Sequence, residues 1–358
     1  MYCMLTRAWA LLLNNQKSCD VTTQSMIPYI IILALLLCTI RAVLSVGPAP
    51  DPVSPNLRSK RVLGDVSTVD VNSVQKEQHH REHFAARLLH NSNLMHKIIF
   101  EADMKYEERV FSALGFELHI FEEHRAWTSQ LVARNLDKGE YYLQAMKAKN
   151  KIPPGSTILD LGTNVAVTAV LVAKLFPDVK VIGVEAIPYN YVAALKNVEV
   201  NGVADRVTIL CAALSSDPTK TLTMSYNTGN TGSSTSSDEF YKRGSDLRFE
   251  KRTVTVKTIT VDEIIDHFGI TSAPFIKLDC EGCEYDVIPN LSARALDIFR
   301  HALVFGETHC DRMTVDPAII KFTHDVYTAY DQEGPRQACG RLVKKWDPES
   351  GKSYMSNP

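Results

Sequence analysis

The sequence predicts an α/β fold in which a mostly parallel sheet is flanked by helices, and two observations support this. From residue 157 onward, short apolar segments alternate with longer helical ones, as parallel strands alternate with crossover helices. The composition is also globular, with 45% hydrophobic and 22% charged residues. The formal net charge is -2 at pH 7, too weak to attract phosphates, so we expect no nucleic-acid partner.

Five strands of the sheet are predicted from buried apolar runs, and their helices from three- and four-residue spacing of apolar positions. The break Pro153-Pro154-Gly155 precedes the first strand. The predicted strands are 157–161, 179–184, 207–210, 275–278 and 302–305, and the predicted helices are 165–176, 188–200 and 262–268.

An insertion separates the third and fourth strands. Two extended segments, 221–226 and 252–261, flank a stretch at 227–237 that is rich in Gly, Ser and Thr, followed by charged residues. This composition is typical both of a mobile loop over a site and of an idle surface loop.

The residues before the sheet predict a membrane-directed segment and an extension. Residues 26–46 are apolar apart from Arg41, which is long enough for a spanning helix if that arginine snorkels. We expect a single-pass signal anchor in the membrane of the secretory pathway (Golgi or endoplasmic reticulum), or alternatively a cleaved signal peptide and a secreted protein. The remaining segments are 1–25 at the N-terminus, a stem or linker at 47–76, a helical extension at 77–150, the α/β domain at 151–345 and a disordered tail at 346–358.

Two carboxylates follow the first two strands. Asp160, Gly162 and Asn164 lie at the first strand-to-helix turn, where doubly wound folds bind ligands, and Glu185 ends the second strand. A carboxylate in this turn repels a pyrophosphate, and G-x-G-x-x-G is missing, which disfavours a NAD-dependent oxidoreductase. The same carboxylate suits the cationic amino and sulfonium groups of S-adenosylmethionine, and Glu185 can accept hydrogen bonds from ribose hydroxyls.

The fourth strand runs into three acids around a glycine, and this completes a set of motifs. With it, the chain resembles the FkbM family of S-adenosylmethionine-dependent methyltransferases over roughly residues 156 to 310. The matching positions are Asp160, Gly162 and Asn164, then Glu185, Pro188 and Asn190, then Leu195 and Asn197, then Lys277 to Glu284, and finally Glu307 and His309.

The resemblance implies a Rossmann-like class I methyltransferase domain at 151–345, with a central, mostly parallel, seven-stranded sheet. It implies S-adenosylmethionine as the cofactor and O-methylation of a hydroxyl on a glycan or small molecule. Ala166 stands where the family usually has a second glycine; we expect it to need only a negative φ. A non-catalytic Rossmann-like binding domain is the alternative. The expected cofactor-binding residues are Asp160, Gly162, Asn164, Glu185, Asn190 and Asp279.

The expected catalytic residues are His309, Asp279 and Glu307, which follow adjacent central strands. His309 is the favoured base, since an unperturbed imidazole has a pKa of about 6.5. Lys277, Glu281 and Glu284 are expected to contact the substrate, although Lys277 could instead pair with a buried acid.

No metal is predicted, although two metal sites are conceivable. Asp279 with Glu307 could hold a divalent cation, but the sequence identifies no third ligand. Because the number of cysteines beyond the apolar segment is odd, no disulfide framework can be inferred. A zinc site fits a strand-helix setting poorly, and its ligands would be Cys280, Cys283, His309 and Cys310.

Overall fold

The centre of the fold is a sheet of eight strands, seen in a computed structural model that describes residues 83–88, 105–237, 250–310, 314–332 and 343–356. All of these belong to one unit, Asp51–Pro358; the other unit, Met1–Pro50, lies outside the described residues. The strands are β1 (Tyr106–Ala113), β2 (Phe116–Glu123), β3 (Thr157–Leu161), β4 (Lys180–Glu185), β5 (Val207–Cys211), β6 (Ala213–Leu214), β7 (Thr221–Asn227), β8 (Asn230–Thr235), β9 (Lys251–Ile259), β10 (Phe275–Leu278), β11 (Leu303–Thr308), β12 (Ala329–Gln332), β13 (Val343–Trp346) and β14 (Ser353–Ser356).

Helices connect these strands, and short 3₁₀ turns lie at Glu140–Tyr142 and Ile288–Asn290. The helices are α1 (Thr128–Asp137), α2 (Leu143–Ala148), α3 (Val167–Leu175), α4 (Pro188–Val200), α5 (Val261–Phe268), α6 (Glu284–Val287), α7 (Ala293–His301) and α8 (Pro317–Val326).

The central sheet is mixed, which corrects the prediction of seven mostly parallel strands. Its order is β14-β13-β12-β11-β10-β3-β4-β5. The strands from β12 to β5 pair in parallel, whereas β12 with β13 and β13 with β14 pair antiparallel. Of the two antiparallel strands, β13 ends the predicted domain 151–345 and β14 lies in residues 346–358, which were predicted as a disordered tail. Trp346, which is 2% exposed and packs against Tyr142 and Phe305, buries one end of this hairpin.

Apolar side chains cover both faces of the sheet. Because successive strand residues point to opposite faces, Ile158 joins one core cluster and Leu159 the other. The first cluster includes residues of α3 and α4, and the second includes residues of α5 and α7. The predicted three-layer arrangement of helices on both faces is therefore present around the parallel strands.

Residues 106–123 form a β-hairpin, so the prediction of a helical extension is wrong for this segment. β1 and β2 pair antiparallel across Leu114 and Gly115, both of which have positive φ. Leu118 and Ile120 are buried two residues apart, which is the period of a strand. Helical residues occur on either side, at 83–88 and in α1 and α2.

Two asparagines of α4 attach this hairpin to the sheet domain. The Asn197 side chain accepts a hydrogen bond from Phe121 N at 2.6 Å, donates to Phe121 O at 3.0 Å and also donates to Val165 O at 2.8 Å. The Asn201 side chain accepts from His119 N at 3.2 Å and donates to His119 O at 2.7 Å. These amides take the place of a neighbouring strand along β2.

The Gly-, Ser- and Thr-rich part of the insertion after β5 contains a strand, β8, rather than a loop alone. β8 pairs with β7 in a four-stranded sheet of order β6-β9-β7-β8. Its sequence, Asn-Thr-Gly-Ser-Ser-Thr, has no apolar alternation, so hydrophobic periodicity does not reveal it. The charged residues 238–249 lie outside the described residues.

The predicted membrane segment 26–46 also lies outside the described residues. Within the ranges that the structure describes, every helix is too short or too polar to cross a bilayer. None of these described helices matches the expected single-pass membrane anchor.

Candidate active site

The turn after β3 depends on a glycine for its closeness to β10. Gly162 has a φ of 87°, and a Cβ at this position would lie 1.9 Å from the Asp279 carbonyl oxygen. A side chain would therefore separate the tips of the two strands. Asn164 follows with a φ of 53°, which asparagine tolerates better than most residues.

Ala166 has a φ of 66°, so the expectation of a negative φ is wrong. The left-handed conformation costs a residue with a Cβ roughly 1–2 kcal/mol. The turn nevertheless closes, since the Ala166 amide donates to the Thr163 carbonyl at 3.0 Å. Glycine would adopt this conformation without strain, but the turn forms without it.

Glu185, at the end of β4, is buried and organises the neighbouring backbone. Its Oε1 accepts hydrogen bonds from Ile187 N at 2.9 Å and Asn190 Nδ2 at 3.2 Å, and its Oε2 accepts from Asn164 N at 2.8 Å. Burial raises the pKa of this carboxyl to about 7, against the opposing effect of these bonds. Since a carboxylate has about four acceptor positions, one remains for a donor in the cavity.

Asp160 lies beneath the site and pairs with Lys277. The Lys277 Nζ is 3.6 Å from Asp160 Oδ1 and 3.6 Å from Asp279 Oδ2, and it also donates to the Gly162 carbonyl. Burial raises the pKa of Asp160 to about 6, while the charge of Lys277 acts in the opposite direction. Neither Asp160 oxygen has a hydrogen-bond partner that meets normal geometry. Lys277 thus joins the tips of β3 and β10.

His309 is completely buried and faces carboxylates. Its Nδ1 is 2.9 Å from Glu284 Oε1, and its Nε2 is 3.5 Å from Glu281 Oε2, 3.7 Å from Glu307 Oε2 and 4.0 Å from Asp279 Oδ1. Burial lowers the pKa of His309, but these carboxylates outweigh it and raise the pKa well above the usual value. This shift moves the pKa of the imidazole away from the unperturbed value of about 6.5 on which its choice as the base was argued.

A cavity of about 550 Å³ opens at the carboxyl ends of β3, β4, β10 and β11. This volume lies within the range of about 300–1,000 Å³ that is typical of small-molecule sites. Seven of the predicted site residues line it: Gly162, Asn164, Glu185, Lys277, Asp279, Glu281 and Glu307. Four do not line it and are buried: Asp160, Asn190, Glu284 and His309.

Other residues that line the cavity were not among the predicted site residues. They are Glu140 and Tyr141, Trp127 at the start of α1 and the hydroxyl-bearing residues of β8. Burial, and then the charge of Asp279, raise the pKa of Glu140 to about 7. Glu140 and Tyr141 lie outside the recognised motifs, so the preceding Gly139 is their one signal in the sequence.

β8 lines the cavity and is bonded both to α4 and to the acidic motif after β10. The Asn190 side chain donates to the Thr231 carbonyl at 3.2 Å, and the Thr235 hydroxyl donates to the Glu281 carbonyl at 3.0 Å. The strand therefore stands over the site, as the sequence reading of the insertion allowed, but as ordered structure.

Two cysteines of the acidic motif are joined. Cys280 and Cys283 form a disulfide, and Cys310 is also disulfide-bonded. The sequence, from which no disulfide framework could be inferred, did not reveal these bonds. The zinc site is excluded as well, because thiolate sulfurs are the zinc ligands and these sulfurs are oxidised.

The comparisons with known proteins agree with the motifs. The family model of the methyltransferase FkbM domain matches residues 160–324. No curated protein matches the chain.

Several solved structures are similar to parts of it. A S-adenosylmethionine-dependent methyltransferase from Geobacter sulfurreducens, in complex with S-adenosylhomocysteine, is 26% identical over 22% of this chain and 31% of that one, with a TM-score of 0.19. A precorrin-6y C5,15-methyltransferase from Geobacter metallireducens is 15% identical over 60% and 82%, with a TM-score of 0.30. A putative O-methyltransferase from Klebsiella pneumoniae is 13% identical over 60% and 76%, with a TM-score of 0.32.

The family match thus begins at Asp160 in the turn after β3 and ends within α8. It includes Glu185, the acidic motif after β10 and His309, all of which surround or support the cavity. The family model of the methyltransferase FkbM domain thus matches residues 160–324, and S-adenosylmethionine is the cofactor that this match implies.

Proposed function

We propose that this protein transfers a methyl group from S-adenosylmethionine to a hydroxyl of a glycan or small hydroxylated molecule. The observation that carries the proposal is the charge of the cavity. Among the described residues, six carboxylates and two lysines line it, which suits a cofactor with cationic amino and sulfonium groups. The carboxylates are Glu140, Glu185, Asp279, Glu281, Asp286 and Glu307, and the lysines are Lys220 and Lys277.

The cofactor would be held on the β4 side of the cavity, and it supplies the methyl group. Glu185 keeps one acceptor position for a ribose hydroxyl, and its other bonds fix it against Asn164 and Asn190. Gly162 and Asn164 line the cavity through the turn that they shape. Asp279 adds negative charge at the neighbouring strand end.

The acceptor would lie between α1, β8 and the strand ends. Trp127 is 52% exposed and lines the cavity, so its ring can pack against an apolar ring face. The Ser and Thr hydroxyls of β8 can exchange hydrogen bonds with acceptor hydroxyls. Glu140, with a pKa of about 7, suits removal of the hydroxyl proton better than His309 does.

Isothermal titration with S-adenosylhomocysteine and S-adenosylmethionine tests the cofactor. We expect binding and thermal stabilisation of the full chain, and at least a 10-fold weaker affinity in Glu185→Ala. The control is Glu199→Gln. Glu199 is an exposed residue of α4, the helix that follows Glu185, and its described ion pair is with Lys196 at 3.2 Å. Absence of both heat and stabilisation in the folded wild-type protein would contradict the proposal.

Transfer itself is measured with methyl-labelled cofactor and a panel of glycans, phenols and alcohols. We expect label in a hydroxylated acceptor, and a higher KM for that acceptor with little change in cofactor affinity in Trp127→Ala. Label confined to amines or carboxylates, with none in hydroxyls, would refute O-methylation.

A further inference from the structure

Three potential ligand atoms converge where β10 and β11 end. Asp279 Oδ1, Glu307 Oε2 and His309 Nε2 all lie within 4.8 Å of one another. They lie at or just after the ends of two parallel strands that pair side by side, with Leu278 opposite Gly306. The sequence showed the two carboxylates but identified no third ligand, and the fold supplies it as the buried imidazole.

The imidazole is held by its other nitrogen. His309 Nδ1 lies 2.9 Å from Glu284 Oε1, and that same oxygen accepts from His309 N at 3.0 Å. Both side chains are fully buried. Metal-binding histidines usually have such a carboxylate on the far nitrogen, which sets the ring orientation and leaves the other nitrogen for the metal.

Carboxylates surround the imidazole. Asp279, Glu281, Glu284 and Glu307 each have an oxygen within 4.0 Å of a ring nitrogen of His309. Lys277 pairs with Asp279 on the other side and is shared with Asp160. Carboxylate oxygens are ligands that divalent cations prefer, so a cation here would lie among suitable groups.

The cluster of Asp279, Glu307 and His309 can be reached from the cavity. The side chains of Asp279 and Glu307 are 23% and 21% exposed, and both line the cavity, whereas His309 closes the site from the interior. Two ligand atoms that each stand about 2.1 Å from one ion are about 3.0–3.4 Å apart at octahedral or tetrahedral angles. The separations of 3.7 and 4.0 Å from the imidazole need only a small inward movement of the two carboxylates.

We propose that Asp279, Glu307 and His309 bind a divalent metal cation that orients and activates the acceptor hydroxyl. The proposal rests on the proposed methyl transfer and names how its acceptor is held. A two-carboxylate, one-imidazole set suits cations that accept both oxygen and nitrogen ligands, such as Mn²⁺. Coordination positions on the cavity side remain for the acceptor oxygen.

The chemical step balances without a further reactant. The acceptor oxygen, bound to the cation, loses its proton to a cavity carboxylate, for which Glu140 in the cavity lining is available. The oxygen then forms a bond to the methyl carbon, the bond between that carbon and the sulfur breaks, and its electron pair stays on sulfur. The products are the methyl ether, S-adenosylhomocysteine and a protonated carboxyl group.

The test is titration of Mn²⁺ into the chelator-treated full chain, without cofactor or acceptor. We expect one equivalent to bind, seen both as heat and as loss of the free Mn²⁺ electron paramagnetic resonance signal. Glu307→Gln and Asp279→Asn should each weaken binding at least 10-fold while the thermal unfolding of the variants shows that they remain folded. These two side chains are chosen because they are partly exposed.

Asp286→Asn is the matched control. Asp286 lines the same cavity, but its carboxylate accepts from Ser215 Oγ at 2.9 Å and Ser216 Oγ at 2.7 Å, away from the cluster. It should bind Mn²⁺ like the wild type. Absence of stoichiometric binding by the wild type, or equal weakening in all three variants, would overturn the proposal. S-adenosylhomocysteine titration separates the two hypotheses: if it binds and Mn²⁺ does not, only the cation is wrong.

Discussion

The ion pair between Asp160 and Lys277 gives the sharpest test of how this site is built. At 3.6 Å and an effective dielectric constant of about 20, the attraction is about 5 kcal/mol before the cost of desolvation. Lys277→Met removes the charge but keeps the length of the side chain. It leaves Asp160, which is 1% exposed, without its partner, and breaking a buried pair in this way costs about 3–5 kcal/mol.

The assay is urea unfolding at pH 7, supported by thermal unfolding. For a domain of this size, a loss of that magnitude lowers the melting temperature by about 10 °C. The double variant Asp160→Asn/Lys277→Met removes both charges, so we expect it to recover at least about 1 kcal/mol relative to the sum of the single changes. Lys196→Met, in an exposed pair, should cost less than about 0.5 kcal/mol.

Two results would refute this reasoning. A coupling free energy below about 0.5 kcal/mol would show that the two side chains do not depend on each other. A 10-fold loss of S-adenosylhomocysteine affinity in Asp160→Asn, with unchanged stability, would instead make Asp160 a cofactor ligand, as its position in the motif predicted.

Three further predictions follow from the same region. Burial raises the pKa of Asp160 from 3.8 to about 6, so the contribution of this carboxyl to stability is full below pH 4 and is lost as the pH rises through 6. Over this pH window the free energy of unfolding should fall by about 3 kcal/mol more in the wild type than in Asp160→Asn. Parallel curves of stability against pH for the two proteins would contradict this prediction. Ala166→Val places a β-branched residue at a φ of 66° and should cost more than about 2 kcal/mol in urea unfolding, whereas Ala166→Gly should stay within about 1 kcal/mol of the wild type. The Cys280→Ser/Cys283→Ser variant removes a disulfide between residues three positions apart, and its free energy of unfolding should be about 2 kcal/mol lower. An unchanged urea midpoint would argue that the bond does not form in solution.

The parallel strands were predictable because each is a short apolar run with a clear stop. The predicted segments 157–161 and 275–278 agree with β3 and β10, and the helix predicted at 188–200 agrees with α4. β8 was not predictable, since a strand of Asn, Gly, Ser and Thr has no apolar alternation. The hairpin was missed because Leu118 and Ile120 alternate over too few positions to outweigh the helical spacing around them.

The positions of the site residues were easier to predict than their roles. The sequence placed Asp160, Asp279 and His309 at strand ends, and the structure has them there. Whether such a side chain faces the cavity or another charge depends on which residues the neighbouring strand brings to it. The unperturbed pKa of a histidine therefore said little about His309, whose surroundings come from α6 and from the loop after β10.

The amide groups of Asn197 and Asn201 also have a consequence for where an independently stable fragment can begin. Excising the hairpin would remove the hydrogen bonds to His119 and Phe121 and leave the two amides only the Val165 and Asn197 carbonyls as described partners. Each buried polar group stranded in this way costs about 1–3 kcal/mol, a large part of a total stability of about 5–15 kcal/mol. A clone started at residue 151 should therefore be recovered as aggregated protein, and one that includes residue 105 as a monodisperse one.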